Sequence, residues 1–513
     1  MSAVRIFETF ADRVRDRLAR PGAQLCAVLL IAAWYLLQYT GADPDLFARV
    51  AMGRLITVLG HVPLQDPFAY TVKKPIWIDH EWLSGLIFYQ LSTHGELALF
   101  WSKLAGVAIS IFFLQRAVRS YAGDSPALLV WLLICVLESC FVWSNTVRSQ
   151  LFTYLFIPVT LLALARVLRT QPSTVIWFLP PLMLVWCNAH GGFVSGLALL
   201  AIALVDRSSW QNGRARTVLA VLALCVAATA INPYGFGSYW SYILEAISMP
   251  RPSISEWAPI MPGSVRSIIP ILILGVVAAG MLVSPRQVRS VDLCFVAASA
   301  LMAFRSERLS ALFAMCACVF GAPYFLVVVQ ALESRFSSLS LKLKRAAAVL
   351  LAAGLCGAVL TLSRVVWQSD RFTLDYSSFP VGAMEWLRDA GRGGKLLVDF
   401  NNGSFALWRG FPKYQIAVDG RYEELYPNST LDIVSKALDP TSSERSAAMQ
   451  SVWPDYILLV NEPGLEARWR EILPSFSVCY HDEDFTVLSQ FNEKPFFSER
   501  TNTPHKSLWE PSF

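Results

Sequence analysis

The chain has 513 residues, 55% of them hydrophobic and only 16% charged, with a mean hydropathy of +0.45. Soluble chains run nearer a quarter charged, so the composition excludes an ordinary soluble protein and requires lipid to solvate most of this one. The net charge of +5 hides an asymmetry: from Asp370 onward there are 14 Lys and Arg against 21 Asp and Glu, which leaves 29 against 17 before it.

The first 22 residues place Ile6, Phe7, Phe10, Val14 and Leu18 on one helical face with arginines elsewhere, the pattern of a cytoplasmic amphipathic segment at a membrane surface. About 20 apolar residues cross a bilayer. On that criterion eleven spans are expected, near 23–40, 96–116, 125–143, 150–168, 174–189, 192–205, 217–231, 267–284, 290–304, 309–331 and 346–364. Every second connector is rich in Lys and Arg, so the positive-inside rule sets these in the cytoplasm. The opposite set then holds the 41–95 loop, the turns near 144–149 and 188–192, the 232–266 connector and 304–308, and an odd number of spans puts the C-terminal segment on the same outer side. Nine of the ten cysteines lie in apolar runs, where a thiol packs as a small hydrophobe. Cys479 stands alone in the soluble segment, no C-x-x-C pair occurs, and the composition argues against a disulfide framework or a structural zinc site.

After Arg364 the pattern changes to short alternating elements. Strands are expected at Lys395–Phe400, Gln415–Asp419, Tyr456–Val460, in FSVCYH and in FTVLSQF, with helices at Val381–Ala390, Leu431–Leu438, Glu444–Gln450 and Gly464–Ile472. This predicts a small α/β unit over 365–491 with a largely parallel sheet, followed by a polar tail over 492–513. The transmembrane part occupies 23–364, and its large first outer loop, 41–95, is long for a connector without a task.

That loop concentrates ionisable groups. Asp43 and Asp45 sit at the mouth of the first span, where a carboxylate can serve as a general base or simply cap the helix that begins near Leu46. Asp79, His80 and Glu81 open the next helix beside Trp77 and Trp82, as a wet pocket or as capping plus an aromatic belt. His190 lies between two short apolar segments and before two glycines, as where a bundle opens a cavity; a satisfied helix-end histidine is the alternative. Arg148, Arg305 and Arg308 stand at outer span ends where the charge rule disfavours arginine, and need anionic partners: a lipid phosphate or loop carboxylates. Glu256 lines the same cavity or anchors the interface. Val418–Arg421 ends a strand, where α/β sheets hold ligands, or forms a salt-bridged turn. No Walker-type loop or GxGxxG occurs, and nucleic-acid binding has no basis because the basic residues border the membrane.

The ordered series DPDLFARVAMGRLI, GHVPLQDPFAYT, PIWIDHEWLSGLIFY, RSQLFTYLF, LMLVWCNAHGGFVSG, INPYG, ISEW and FNNGSFALWRGFPKYQIAVDGRYEELY resembles a group of bacterial polytopic proteins of the GT-C glycosyltransferase architecture. The resemblance spans nearly the whole chain. It implies a polytopic α-helical membrane protein of the bacterial inner membrane with an extracytoplasmic α/β domain. It further implies an enzyme that moves a sugar from a polyprenyl-phosphate-linked donor to an envelope glycan, lipid or protein acceptor. The base implied is an acid of the first outer loop, Asp45 in preference to Asp43, with His80, Glu81, Arg148, His190, Glu256, Arg305 and Arg308 on the substrates. No metal and no cofactor are expected. The alternative is a non-catalytic component that binds lipid-linked glycan for assembly or export.

Overall fold

A computed structural model describes residues 12–14, 16–37, 42–143, 147–169, 174–249, 255–285, 287–335, 378–462, 473–491 and 493–497, with Trp469 and scattered positions between 345 and 360. The first eleven residues, most of the 346–364 span, the 464–472 helix apart from Trp469, and the end of the polar tail lie outside the described residues.

The bundle begins with α1 (Pro21–Leu36) and is built mainly from α4 (Glu96–Ala122), α5 (Leu128–Trp143), α6 (Gln150–Leu168), α7 (Leu179–Ala189), α8 (Phe193–Ala203), α9 (Arg214–Ala228), α11 (Ile268–Val283), α12 (Ser290–Arg305), α13 (Ser310–Phe320) and α14 (Ala322–Arg335). Among the described residues, three stretches are long and apolar enough to cross a membrane, Glu96–Ala122, Gln150–Leu168 and Val265–Val283. The number rises to five if the two sharply bent pairs each count once. The eleven expected spans exceed this because apolar runs are cut by helix breaks: α7 and α8, at 11 residues each, are about 16 Å long against a hydrocarbon core of about 30 Å.

The 41–95 loop is mostly structured. Asp43 caps α2 (Pro44–Leu59), accepting the Asp45 N–H at 2.9 Å, Pro44 supplies a pre-set φ at the first turn, and Gly60 ends the helix at φ 73°. A second helix, α3 (Trp82–Ser92), packs on α2 through Gly53 and Gly85: a Cβ on Gly85 would stand 2.8 Å from the Arg49 carbonyl oxygen. Helix α10 (Phe236–Ser248) occupies part of the outer connector read as a loop.

The C-terminal unit holds α15 (Val381–Asp389), β1 (Gly394–Leu397), α16 (Phe400–Gly410), β2 (Tyr414–Ile416), α17 (Asn428–Leu438), α18 (Arg445–Val452), β3 (Tyr456–Val460), β4 (Ser477–His481), β5 (Phe485–Ser489) and β6 (Phe496–Phe497). Its sheet has the order β2-β1-β3-β5-β4-β6. The sheet is mixed rather than largely parallel: β1 pairs in parallel with β2 and β3, whereas β5 runs antiparallel to β3 and β4. The difference arises at Asp482, whose side chain takes the Asp484 and Phe485 N–H groups and turns β4 straight back into β5. The expected strand over Lys395–Phe400 stops early because Asp399 accepts the Asn401 and Asn402 N–H groups and starts α16 there.

Loop and C-terminal unit share one hydrophobic core. Phe47 of α2 packs its ring against Phe379, Phe405 and Trp408. Ile416 exchanges backbone bonds with Phe68 and Tyr70, so the loop adds a bridge to the open edge of β2.

Candidate functional site

Two buried arginines organise the space between the loop, the bundle and the C-terminal unit. Arg49 sits one turn into α2, so its guanidinium points under the cap formed by the C-terminal unit. It meets Asp79 at 2.6 Å, Glu81 at 2.9 Å and Glu424 at 2.6 Å. Three carboxylates from two distant segments thus close on one cation. Burial alone raises the Glu81 carboxyl, but Arg49, His80, His190 and a Ser149 hydrogen bond outweigh it and hold it at about 2. Asp79 has no such surplus, and burial pushes it up to about 7.

Two histidines flank this cluster. His80 Nδ1 lies 3.1 Å from Glu424 Oε1 and 2.9 Å from the Tyr242 hydroxyl. Although burial disfavours its charged form, Glu424 and Glu81 raise the imidazole. His190 differs. Its Nδ1 faces the Thr153 hydroxyl at 2.7 Å and accepts the Gly192 N–H at 2.9 Å. Thr153 in turn accepts from Trp186, which frees its own hydrogen for His190. Nδ1 therefore accepts, and Nε2 carries the proton toward Glu81, 3.5 Å away.

The second hub is Arg148, which precedes α6. It meets Asp45 at 2.6 Å, Asp43 at 3.4 Å and Glu256 at 3.2 Å, and Glu256 is shared with Arg308 at 2.9 Å. Arg308 also stacks over Trp257. Burial raises Asp43 to about 7 against the pull of Arg148, and raises Asp45 as well; Arg308 and Arg148 hold Glu256 low despite burial. The two aspartates differ in access. Asp43 is 8% exposed and spends an oxygen on its helix cap, whereas Asp45 is 35% exposed. Asp45 gives Oδ2 to Arg148, and its Oδ1 meets no hydrogen-bond donor among the described residues. That open oxygen lies beneath Gly420, where a Cβ would approach to 2.6 Å. The charges of Arg49 and Glu81 also act on Asp45, so the two hubs face a common space.

No protein-family model and no curated protein matches the chain. Among solved structures it is similar to the archaeal oligosaccharyltransferase AglB from Archaeoglobus fulgidus in complex with an inhibitory peptide and a dolichol-phosphate, at 12% identity and a TM-score of 0.55, covering 85% of this chain and 69% of that one. The chain has a GT-C-like fold. It is also similar to ArnT from Cupriavidus metallidurans bound to undecaprenyl phosphate, at 15% identity and a TM-score of 0.48, over 93% of this chain and 99% of that one.

Within this GT-C-like fold the expected residues separate into those that converge and one that does not. Asp43, Asp45, Arg148, Glu256 and Arg308 form one linked set, and His80, Glu81 and His190 surround Arg49. Arg305 is exposed at the end of α12 and makes no ion pair with a described residue, so it stands apart from both sets. Asp79 was read with His80 and Glu81 as the start of α3, whereas Arg49 and Glu424 were not among the expected site residues. The sequence signal for Glu424 was weak: the charged pair Glu423–Glu424 follows the strand-end motif, but Arg421 stands two residues before it and is a nearer partner in sequence than Arg49. Val418–Arg421 proves a salt-bridged turn, since buried Arg421 joins Asp419 at 2.6 Å and Asp66 of the loop at 2.5 Å. His80, Glu81 and Glu424 offer ligand atoms within 4.8 Å of one another. A cation there would compete with Arg49 for both carboxylates.

Proposed function

We propose that the chain is a membrane glycosyltransferase that moves a sugar from a polyprenyl-phosphate-linked donor to an envelope glycan, lipid or protein acceptor. The carrying observation is the open oxygen of the Asp45 carboxylate, whose other oxygen is held by Arg148, close to a second arginine, Arg308, and beneath Gly420. The fold is compatible with this reading, because AglB, whose fold it shares, was solved with a dolichol-phosphate. The placement of the loop and the C-terminal unit together outside a bacterial inner membrane belongs to the same proposal.

The reaction is a direct displacement. An acceptor hydroxyl attacks the anomeric carbon, Asp45 Oδ1 takes its proton, and the bond to the lipid phosphate breaks with both electrons leaving on the phosphate oxygen. A phosphate leaving group needs charge neutralisation more than protonation. Arg148 and Arg308 together face Asp43, Asp45 and Glu256, so the incoming phosphate must replace a carboxylate partner. Glu256 is the partner displaced, because it is the one both arginines share, and releasing it leaves Arg148 still orienting Asp45. His80, Glu81 and His190 shape the sugar or acceptor pocket.

The test is binding of a radiolabelled polyprenyl phosphate to the purified chain. Arg308→Gln should weaken binding about tenfold or more, as expected for loss of a phosphate-binding guanidinium, with melting temperature unchanged. Equal binding by the variant contradicts the assigned role.

A further inference from the structure

Helices α4 and α6 pack together, with Gly106 against Leu151 and the Ser110 hydroxyl donating to the Tyr154 carbonyl. At 27 residues, α4 runs about 40 Å, the thickness of a bilayer with its headgroups. At its far end the two helices leave a pocket of about 370 Å³ lined by Arg116, Arg119, Ser120, Gly123, Asp124 and Arg166. Arg119 is neutralised by Asp124 at 2.5 and 2.8 Å. Arg116 and Arg166 form no ion pair with any described residue, so the pocket keeps two guanidinium groups without a carboxylate partner among them.

The surface leading into the pocket is apolar. Ile109 and Phe112 are 45% and 40% exposed and share a helical stripe with Arg116, whose guanidinium lies 5.7 Å from the Phe112 ring centroid. We propose that this pocket binds the phosphate of an anionic phospholipid of the opposite leaflet, with an acyl chain along the Ile109–Phe112 stripe. A free phosphate would use the arginines but not the stripe. Basic pockets between membrane helices commonly take such headgroups.

The experiment measures equilibrium binding of an acyl-labelled phosphatidylglycerol to the full-length chain in neutral micelles. Phosphatidylglycerol should bind about tenfold more tightly than phosphatidylcholine, and Arg116→Gln with Arg166→Gln should erase that preference. Arg116→Lys with Arg166→Lys should restore most of it, which separates lost charge from a damaged fold. Arg207→Gln with Arg216→Gln, at exposed positions outside the pocket, should leave it intact. Equal binding of the two lipids, or equal loss in the two glutamine pairs, overturns the proposal. So does full displacement of the lipid by excess inorganic phosphate, which would assign the pocket to a soluble anion.

Discussion

Asp43 and Asp45 share Arg148 but are built for different tasks. Asp43 caps α2 and is nearly covered, whereas Asp45 is more exposed and leaves one oxygen without a hydrogen-bond donor among the described residues. Burial raises both carboxyls, Asp43 to about 7. A base works only when ionised, so raising the pH converts inactive, protonated Asp45 into the active form. The transfer rate should therefore climb with pH as the raised Asp45 carboxyl ionises and level off once it is fully charged; a rate that falls as the pH rises would remove Asp45 from the base role. Asp45 was legible as a candidate because the first loop resembles that of GT-C proteins; residue type alone left helix capping as open as catalysis. What sequence could not show was which aspartate is open, since that depends on Gly420, some 375 positions away and brought over Asp45 by the C-terminal unit.

Between elements, the strongest junction is the clamp of α2 on the C-terminal unit. Arg49 reaches Glu424 at 2.6 Å and Phe47 enters an aromatic cluster with Phe379, Phe405 and Trp408. Removing one partner of such a pair leaves the other charged and buried, at a cost of about 3–5 kcal/mol. Arg49→Met should therefore lower the melting temperature and speed proteolysis within 378–497, while an exposed pair such as Lys436 with Asp432 should be dispensable. Unchanged stability in Arg49→Met would show that the aromatic cluster alone holds the unit. Most strands and the helices at Val381–Asp389, Asn428–Leu438 and Arg445–Val452 were readable from periodicity, whereas α10 and α16 were not. The antiparallel turn at Asp482 and the early start of α16 at Asp399 were not, because each rests on one side chain capturing backbone N–H groups.

For the whole molecule, alternating basic connectors and the GT-C-like fold describe a chain whose acidic loop and C-terminal unit stand on one face. A cysteine at exposed Leu64 or Trp453 should react with an impermeant thiol reagent added outside intact cells, and one at Arg207 only after lysis. The reverse pattern would place the unit in the cytoplasm. The convergence of Asp43, Asp45, Arg148, Glu256 and Arg308 joins four separate parts of the chain. Charge type and side of the membrane announced it; the pairing itself needed the fold.

The most direct measurement is sugar transfer from a polyprenyl-phosphate-linked donor by the purified chain in lipid, comparing the wild type with Asp45→Asn. The substitution keeps size and removes the proton acceptor together with one of the three carboxylate charges around Arg148, so the rate should fall about a hundredfold or more without loss of polyprenyl phosphate binding. Wild-type transfer by the asparagine variant would contradict a catalytic Asp45.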